Sequence, residues 1–504
     1  MDPGKTRRKN IMAVISINRT RSAGTVSRFI YGHFAEHLGR CIYGGIYVGK
    51  DSPIPNVNGI RTDVVEAMKA IRLPVIRWPG GCFADEYHWR DGIGEMKDRK
   101  RMVNTNWGGV VEDNSFGTHE FMELCAQVGC EPYITGNVGS GTIREMSEWV
   151  EYINSDGDSS VVQERWKNGR KDSWGVKFWG VGNENWGCGG NMEPEYYVNE
   201  YRRYQGFCRQ YGKNRLFKVA CGPSGDDSHW TEVLMSKAGK MMDGLSLHHY
   251  TVCGDTWEKK GSATEFTKEE YYRTMYKAAT YMEHNVASQS AIMDRYDPEK
   301  RVWLMVDEWG NWFDVEPGTN PGFLYQQNTM RDAVSAAIIM DIFNRHCDRV
   351  KMANIAQTVN VLQAIILTEG DKMVLTPTYY VYDLYKEHMD ARELDCFVSA
   401  GDVGTEGFTL PGLTASASEK DGKITLTVSN VDCDKPAKIT VDLGNDKIAG
   451  ACGRVLSGKM DEYNDFEKQP LCIRPLEGLK VSAGKLTLTL PACCVAEITL
   501  TAKE

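Results

Sequence analysis

No stretch of this chain is long and apolar enough to span a membrane, and the start lacks the small-residue cleavage pattern of a secretory signal. Its early apolar segment, Ile11 to Ile17, is broken by Ser16 and followed by Asn18 and Arg19. The polar, basic decapeptide before it, Met1 to Asn10, reads in part as non-native sequence. Blocks of one charge sign are also missing. The formal charge of -9 is spread along the chain, which argues against nucleic acid or an anionic membrane as a partner. There is no Gly-rich phosphate loop, no Walker pattern and no Cys-x-x-Cys pair at zinc-finger spacing, so neither a nucleotide nor a metal cofactor is expected. Cysteine itself is not scarce. The 15 cysteines are odd in number and scattered, with Cys125, Cys208 and Cys221 at core-like positions, a pattern that predicts reduced thiols in a cytoplasmic protein.

At 504 residues the chain is too long for one ordinary core and suggests about two to three domains. Eight strand-like segments, near 29–34, 73–78, 132–137, 176–182, 217–222, 243–249, 302–307 and 350–356, predict a parallel (β/α)8 TIM barrel of class α/β. Helical periodicity is visible at 62–71, 118–128, 195–211, 268–290 and 328–343, with Thr118 as a cap. The stretch between strands three and four reads as irregular. Beyond residue 389 the pattern changes to period two, as in Ile424-Thr425-Leu426-Thr427-Val428 and Leu486-Thr487-Leu488-Thr489-Leu490. That predicts a C-terminal all-β sandwich, jelly-roll-like, over 390–504, a barrel over 29–389, and an N-terminal segment 1–28 whose strand near Met12 to Asn18 joins the sandwich.

Two of the strand-like runs end in glutamates, Trp179-Gly180-Val181-Gly182-Asn183-Glu184 and Val302-Trp303-Leu304-Met305-Val306-Asp307-Glu308. Buried barrel strands deliver such residues to one C-terminal mouth, where active sites of this fold are built. One carboxylic acid that protonates a leaving oxygen and one carboxylate that attacks, or activates water, together suffice for glycoside hydrolysis. The 13 Trp and 23 Tyr suit sugar rings, although a large core also uses them. Strand one ends in His33-Phe34-Ala35-Glu36-His37, a spacing shared with one class of zinc peptidase. Gly39, Gly44 and Gly45 break any helix there, so Glu36 is read as a pocket carboxylate for sugar hydroxyls and the histidines as packing residues. In Arg77-Trp78-Pro79-Gly80-Gly81-Cys82, Arg77 is placed to hold a catalytic carboxylate ionised, the glycines allow close backbone approach, and Cys82 is a buried thiol lining the site. Tyr250 donates to the attacking carboxylate and Gln357 to sugar hydroxyls.

These runs, in order, resemble the α-L-arabinofuranosidases of glycoside hydrolase family 51: Tyr31 to His37, Arg77 to Gly81, Gly182-Asn183-Glu184, Ser246-Leu247-His248-His249-Tyr250, Asp307-Glu308-Trp309 and Ala356 to Asn360. The resemblance implies a retaining enzyme with Glu184 as acid/base and Glu308 as nucleophile. It implies a sugar pocket with Glu36, Asn183, His248, Tyr250 and Gln357 at substrate-contacting positions and Trp107 and Trp312 at the rim. Several members of the family carry Asn where this chain has Cys82. An arabinose-containing oligosaccharide or hemicellulose side chain as substrate, and a homo-oligomer, commonly a hexamer, are further implications.

The two-glutamate chemistry alone does not name the sugar, so a retaining β-xylosidase or β-glucanase on the same scaffold stands as the alternative. A metallo-hydrolase built on His33, Glu36 and His37 and a catalytically silent sugar-binding barrel are the remaining readings.

Overall fold

The computed structural model describes residues 12–503; the reading of Met1 to Asn10 as partly non-native falls outside them. Eight parallel strands close into a barrel: Gly32–Phe34, Val75–Trp78, Glu131–Gly136, Phe178–Val181, Phe217–Ala220, Gly244–Thr251, Trp303–Asn311 and Val350–Ala356. They follow one another around the barrel in chain order, and Asn354, Ile355 and Ala356 close it against Gly32, His33 and Phe34. The strands are buried along most of their length, as a sheet covered on both faces requires. Two strands run past their expected ends. Strand six reaches Thr251 and strand seven Asn311, because His248, His249, Tyr250 and Thr251 continue to pair with Glu308, Trp309, Gly310 and Asn311. Strand one is shorter than expected: Ser27 caps a 3-10 turn over Arg28–Tyr31 by accepting the Phe29 N–H, and the strand begins only at Gly32.

The helix expected at 268–290 is the 29-residue Lys268–Tyr296, opened by a reciprocal box between Thr267 and Glu270. Thr118 begins its helix but does not cap it. The Glu120 carboxylate reaches back to the Gly117 N–H at 2.9 Å, and the Thr118 hydroxyl instead accepts the Trp149 indole N–H at 3.1 Å. The stretch between strands three and four is not irregular. It holds two helices, Ile143–Asn154 and Ser160–Lys167, capped by Thr142 and Ser159.

The C-terminal region is rich in strands. Ten strands join in a continuous hydrogen-bonded series that includes Ala13–Asn18 from the start of the chain, which pairs with Arg392–Ser399 and Ala437–Asp442. Within Arg392–Ser399, the first three residues pair with Leu413–Lys420 and the last five with Ala13–Asn18. One strand thus carries the chain from one layer to the next, and alternating residues such as Ile15, Leu426, Val441 and Ile498 fill a separate apolar core. Among the described residues, no helix is long and apolar enough to cross a membrane.

Candidate active site

The C-terminal mouth of the barrel holds a cavity of about 400 Å³ lined by Glu36, Cys82, Trp107, Glu184, His248, Tyr250, Glu308, Trp312 and Gln357 among others. Two candidate residues lie beneath this lining. Arg77 and Asn183 are each 1% exposed. The Arg77 guanidinium donates to Glu308 Oε1 at 2.9 Å and also to Asn183 Oδ1, so it joins the two glutamate-bearing strand ends from below.

Glu184 and Glu308 differ in surroundings. Glu308 sits within strand seven and accepts from Arg77 and from the Tyr250 hydroxyl at 2.7 Å, with His248 Nδ1 3.6 Å away. Burial pushes its carboxyl up, but the positive charges of His248 and Arg77 outweigh that and hold it below the usual carboxylate range. Glu184 lies three residues beyond strand four and shares a hydrogen bond of 2.9 Å with His248 Nδ1. Burial, reinforced by the negative charge of Glu308, raises its carboxyl above the usual range. A carboxylate oxygen of each lies within 4.8 Å of the other. Two acids pushed apart in this way are suited to different tasks, Glu184 holding its proton more readily than an ordinary carboxyl and Glu308 losing it more readily.

His248 is held between the two carboxylates, and their charge raises its pKa against the effect of burial. The Tyr250 hydroxyl is a neutral donor to Glu308. Tyr250→Phe should therefore move the acid limb of the pH–rate profile upward, because Glu308 would hold its proton to higher pH, and lower kcat/KM by roughly 10- to 100-fold. An unmoved acid limb in the measured profile would detach Tyr250 from this role.

Glu36 accepts the Phe83 N–H at 3.0 Å, the Trp107 indole N–H at 2.9 Å and the Gln357 amide at 2.8 Å. Burial and the Glu308 charge raise its pKa to about 7. The paired glycines permit these approaches: a Cβ at Gly80 would stand 2.7 Å from Glu36 Cγ, and one at Gly81 would stand 3.0 Å from Glu308 Oε1.

The histidines of the peptidase-like run do not meet at a metal. His33 is fully buried against the Tyr382 ring, and both nitrogens of His37 are engaged, by Glu112 at 2.9 Å and by the Trp78 indole at 3.1 Å. Glu36 faces the pocket instead. The reading of Cys82 as a free reduced thiol also requires correction: Cys82 and Cys188 form a disulfide, the latter in the turn just after Glu184. Three further contributors escaped the sequence reading. Cys188 is one, and Trp257, which packs on Trp312 at a centroid distance of 4.9 Å, is another. The third is Asp85, whose buried carboxylate accepts the backbone N–H groups of Val138, Gly139 and Asn183, pinning the turn that presents Glu184. Glu184 itself has a left-handed backbone, φ 41°, a conformation that a non-glycine residue keeps only where its surroundings hold it.

A closed parallel barrel with two unequal carboxylates in an aromatic-rimmed mouth defines a glycoside hydrolase of the paired-carboxylate kind. Sequence profiles of the α-L-arabinofuranosidase 1 domain and of the α-L-arabinofuranosidase C-terminal domain match residues 67–265 and 307–494. An intracellular exo-α-L-arabinofuranosidase from Bacteroides ovatus is 52% identical over 97% of this chain and 95% of that protein. The crystal structure of the GH51 arabinofuranosidase from Xanthomonas axonopodis pv. citri superposes with a TM-score of 0.95 at 46% identity, covering 97% of this chain and all of that one. An α-L-arabinofuranosidase from Thermotoga maritima, solved as an arabinose complex, superposes with a TM-score of 0.84 at 29% identity over 97% of this chain and 99% of that one. The chain belongs to glycoside hydrolase family 51, the α-L-arabinofuranosidases.

Proposed function

We propose that Glu308 is the nucleophile and Glu184 the acid/base of a retaining double displacement. The activity they serve is that of an exo-acting α-L-arabinofuranosidase acting on arabinose-containing substrates. In the first step a Glu308 oxygen bonds to the anomeric carbon as the glycosidic C–O bond breaks, and Glu184 gives its proton to the departing oxygen. In the second, Glu184 takes a proton from water, which attacks the same carbon and frees Glu308 from the ester. The observation that carries this reading is the carboxylate spacing. Oxygens within 4.8 Å of each other lie nearer to the roughly 5–5.5 Å separation of retaining enzymes than to the about 6.5–9.5 Å of an inverting pair, which activates a water between its carboxyl groups.

Glu36, Gln357, Trp107 and Trp312 line the pocket as sugar-binding groups, with Asn183 held toward the site by Arg77. We further read the natural substrate as short arabino-oligosaccharides taken up into the cytoplasm by a homo-oligomeric, hexameric enzyme, its catalytic barrel at 29–389 flanked by a β unit from 1–28 and 390–504. The intracellular description of the Bacteroides relative supports the compartment. Rates on arabino-oligosaccharides, on intact arabinan and on 4-nitrophenyl β-D-xyloside, measured beside the 4-nitrophenyl α-L-arabinofuranoside, test the substrate reading. The oligosaccharides and the arabinofuranoside should lead by at least tenfold; a faster rate on the polymer or the xyloside would overturn it.

A further inference from the structure

The glycosidase chemistry makes no use of Cys82 and Cys188, yet both stand against Glu184. Cys82 follows the Gly80-Gly81 turn after strand two, and Cys188 lies in the turn Gly187-Cys188-Gly189-Gly190, so their Cα atoms come to 5.4 Å. The Cys188 sulfur is 3.4 Å from Glu184 Oε2, and the Cys82 sulfur 4.0 Å from the same oxygen. Cys188 is exposed and its partner Cys82 lines the pocket, and an exposed disulfide is open to reduction by exchange. A dithiol supplies two electrons and two protons, becomes a disulfide itself, and leaves Cys82 and Cys188 as thiols.

Those thiols and the Glu184 carboxylate make a donor set. Ligand atoms of Cys82, Cys188 and Glu184 lie within 4.8 Å of one another. Around a tetrahedral zinc ion, with Zn–S near 2.3 Å and Zn–O near 2.0–2.2 Å, a sulfur and an oxygen stand roughly 3.6 Å apart. In the disulfide form the sulfur–oxygen distances of 3.4 and 4.0 Å lie on either side of that value, and reduction, by breaking the S–S bond, frees the sulfurs to part to the roughly 3.8 Å that two thiolates on one tetrahedral zinc ion require. Thiolate pairs select soft or borderline ions over magnesium or calcium.

We propose that the reduced Cys82–Cys188 pair and Glu184 form a binding site for a thiophilic divalent cation of the zinc or cadmium kind. Binding breaks two S–H bonds and, where Glu184 carries its proton, one O–H bond, releases those protons to solvent, and forms two metal–thiolate bonds and one metal–carboxylate bond, with water in the fourth position. The cation occupies the oxygen that would carry the catalytic proton, so the bound form is inactive; that consequence rests on Glu184 being the acid/base.

The test uses the full chain in three forms: oxidised wild type, wild type reduced with a phosphine that is then removed under anaerobic conditions, and reduced Cys188→Ser. Each is titrated with Cd2+ while thiolate-to-cadmium charge-transfer absorption and arabinofuranoside hydrolysis are recorded. The reduced wild type should bind one more Cd2+ per chain than either other form and lose at least tenfold of its own uninhibited rate, with recovery on adding a chelator. Equal absorption in all three forms overturns the proposal. The extra absorption without loss of rate upholds the site and removes Glu184 from the acid/base role. If Cys188→Ser does not fold, the two forms of the wild type decide the matter.

Discussion

Glu308→Gln should lower kcat/KM by on the order of 10⁵-fold, equivalent to about 7 kcal/mol of lost transition-state stabilisation. The amide keeps the volume of the side chain; its one oxygen can accept from Arg77 while its NH2 group faces the Tyr250 oxygen as a donor, so pocket shape and ground-state binding change little, and the loss should fall on kcat. No other carboxylate among the described residues is presented in the same way: Asp307, next in the chain, points into the barrel and is taken up by the Tyr133 hydroxyl at 2.6 Å and the Asn354 amide at 3.2 Å. The substitution also removes the nearer of the two carboxylates that face the buried Arg77, at 2.9 Å, and leaves it only Asp307 at 3.9 Å. Uncompensated buried charge costs several kcal/mol of stability, so thermal unfolding must be measured alongside the kinetics to separate lost chemistry from lost fold. Azide added to the smaller Glu308→Ala variant should yield an arabinosyl azide of inverted configuration, since it attacks the substrate directly from the vacated face. A variant within tenfold of wild type and correctly folded would remove Glu308 from the reaction.

Glu184→Ala has a different signature. Loss of a positioned general acid costs about 10²–10⁴-fold on substrates with poor leaving groups such as oligosaccharides. With a 4-nitrophenyl leaving group, which departs without protonation, the first step should survive and the glycosyl ester should accumulate as a burst. Azide needs no base, so it should restore turnover and give the retained azide. The pH profile should change too. Burial and the Glu308 charge raise the Glu184 pKa, and its acid function is present below that value and lost as pH rises through it. The alkaline limb of kcat/KM should therefore disappear in the variant, while the acid limb set by Glu308 remains.

The parts of this site that were legible in the sequence are those written by local pattern. Apolar runs that stop at Glu184, Glu308, Tyr250 and Gln357 mark strand ends, and in a barrel strand ends converge, so the convergence follows from the fold class. Gly80-Gly81 announced a close backbone approach for the same reason, and the structure assigns its beneficiaries, Glu36 and Glu308. What stayed hidden depends on contacts between distant positions. Cys82 and Cys188 are 106 residues apart, and neither lies in a periodic element that would signal a partner. Asp85 sits in a 3-10 turn with no pattern of its own, and its partners come from the loops after strands three and four. The helix Ile143–Asn154 did carry a signal, with Met146, Trp149, Val150 and Ile153 at three- and four-residue spacing after the cap Thr142, whereas the short, polar Ser160–Lys167 offered little beyond its cap Ser159.

The most direct test of the paired roles of Glu184 and Glu308 is the proton NMR spectrum of the hydrolysis product in the first minutes of reaction on 4-nitrophenyl α-L-arabinofuranoside, before mutarotation. Two inversions at the anomeric carbon, one by Glu308 and one by water, predict α-L-arabinofuranose as the first-formed sugar. If β-L-arabinofuranose appears first, a single displacement has occurred, and the assignment of Glu308 as a nucleophile is contradicted.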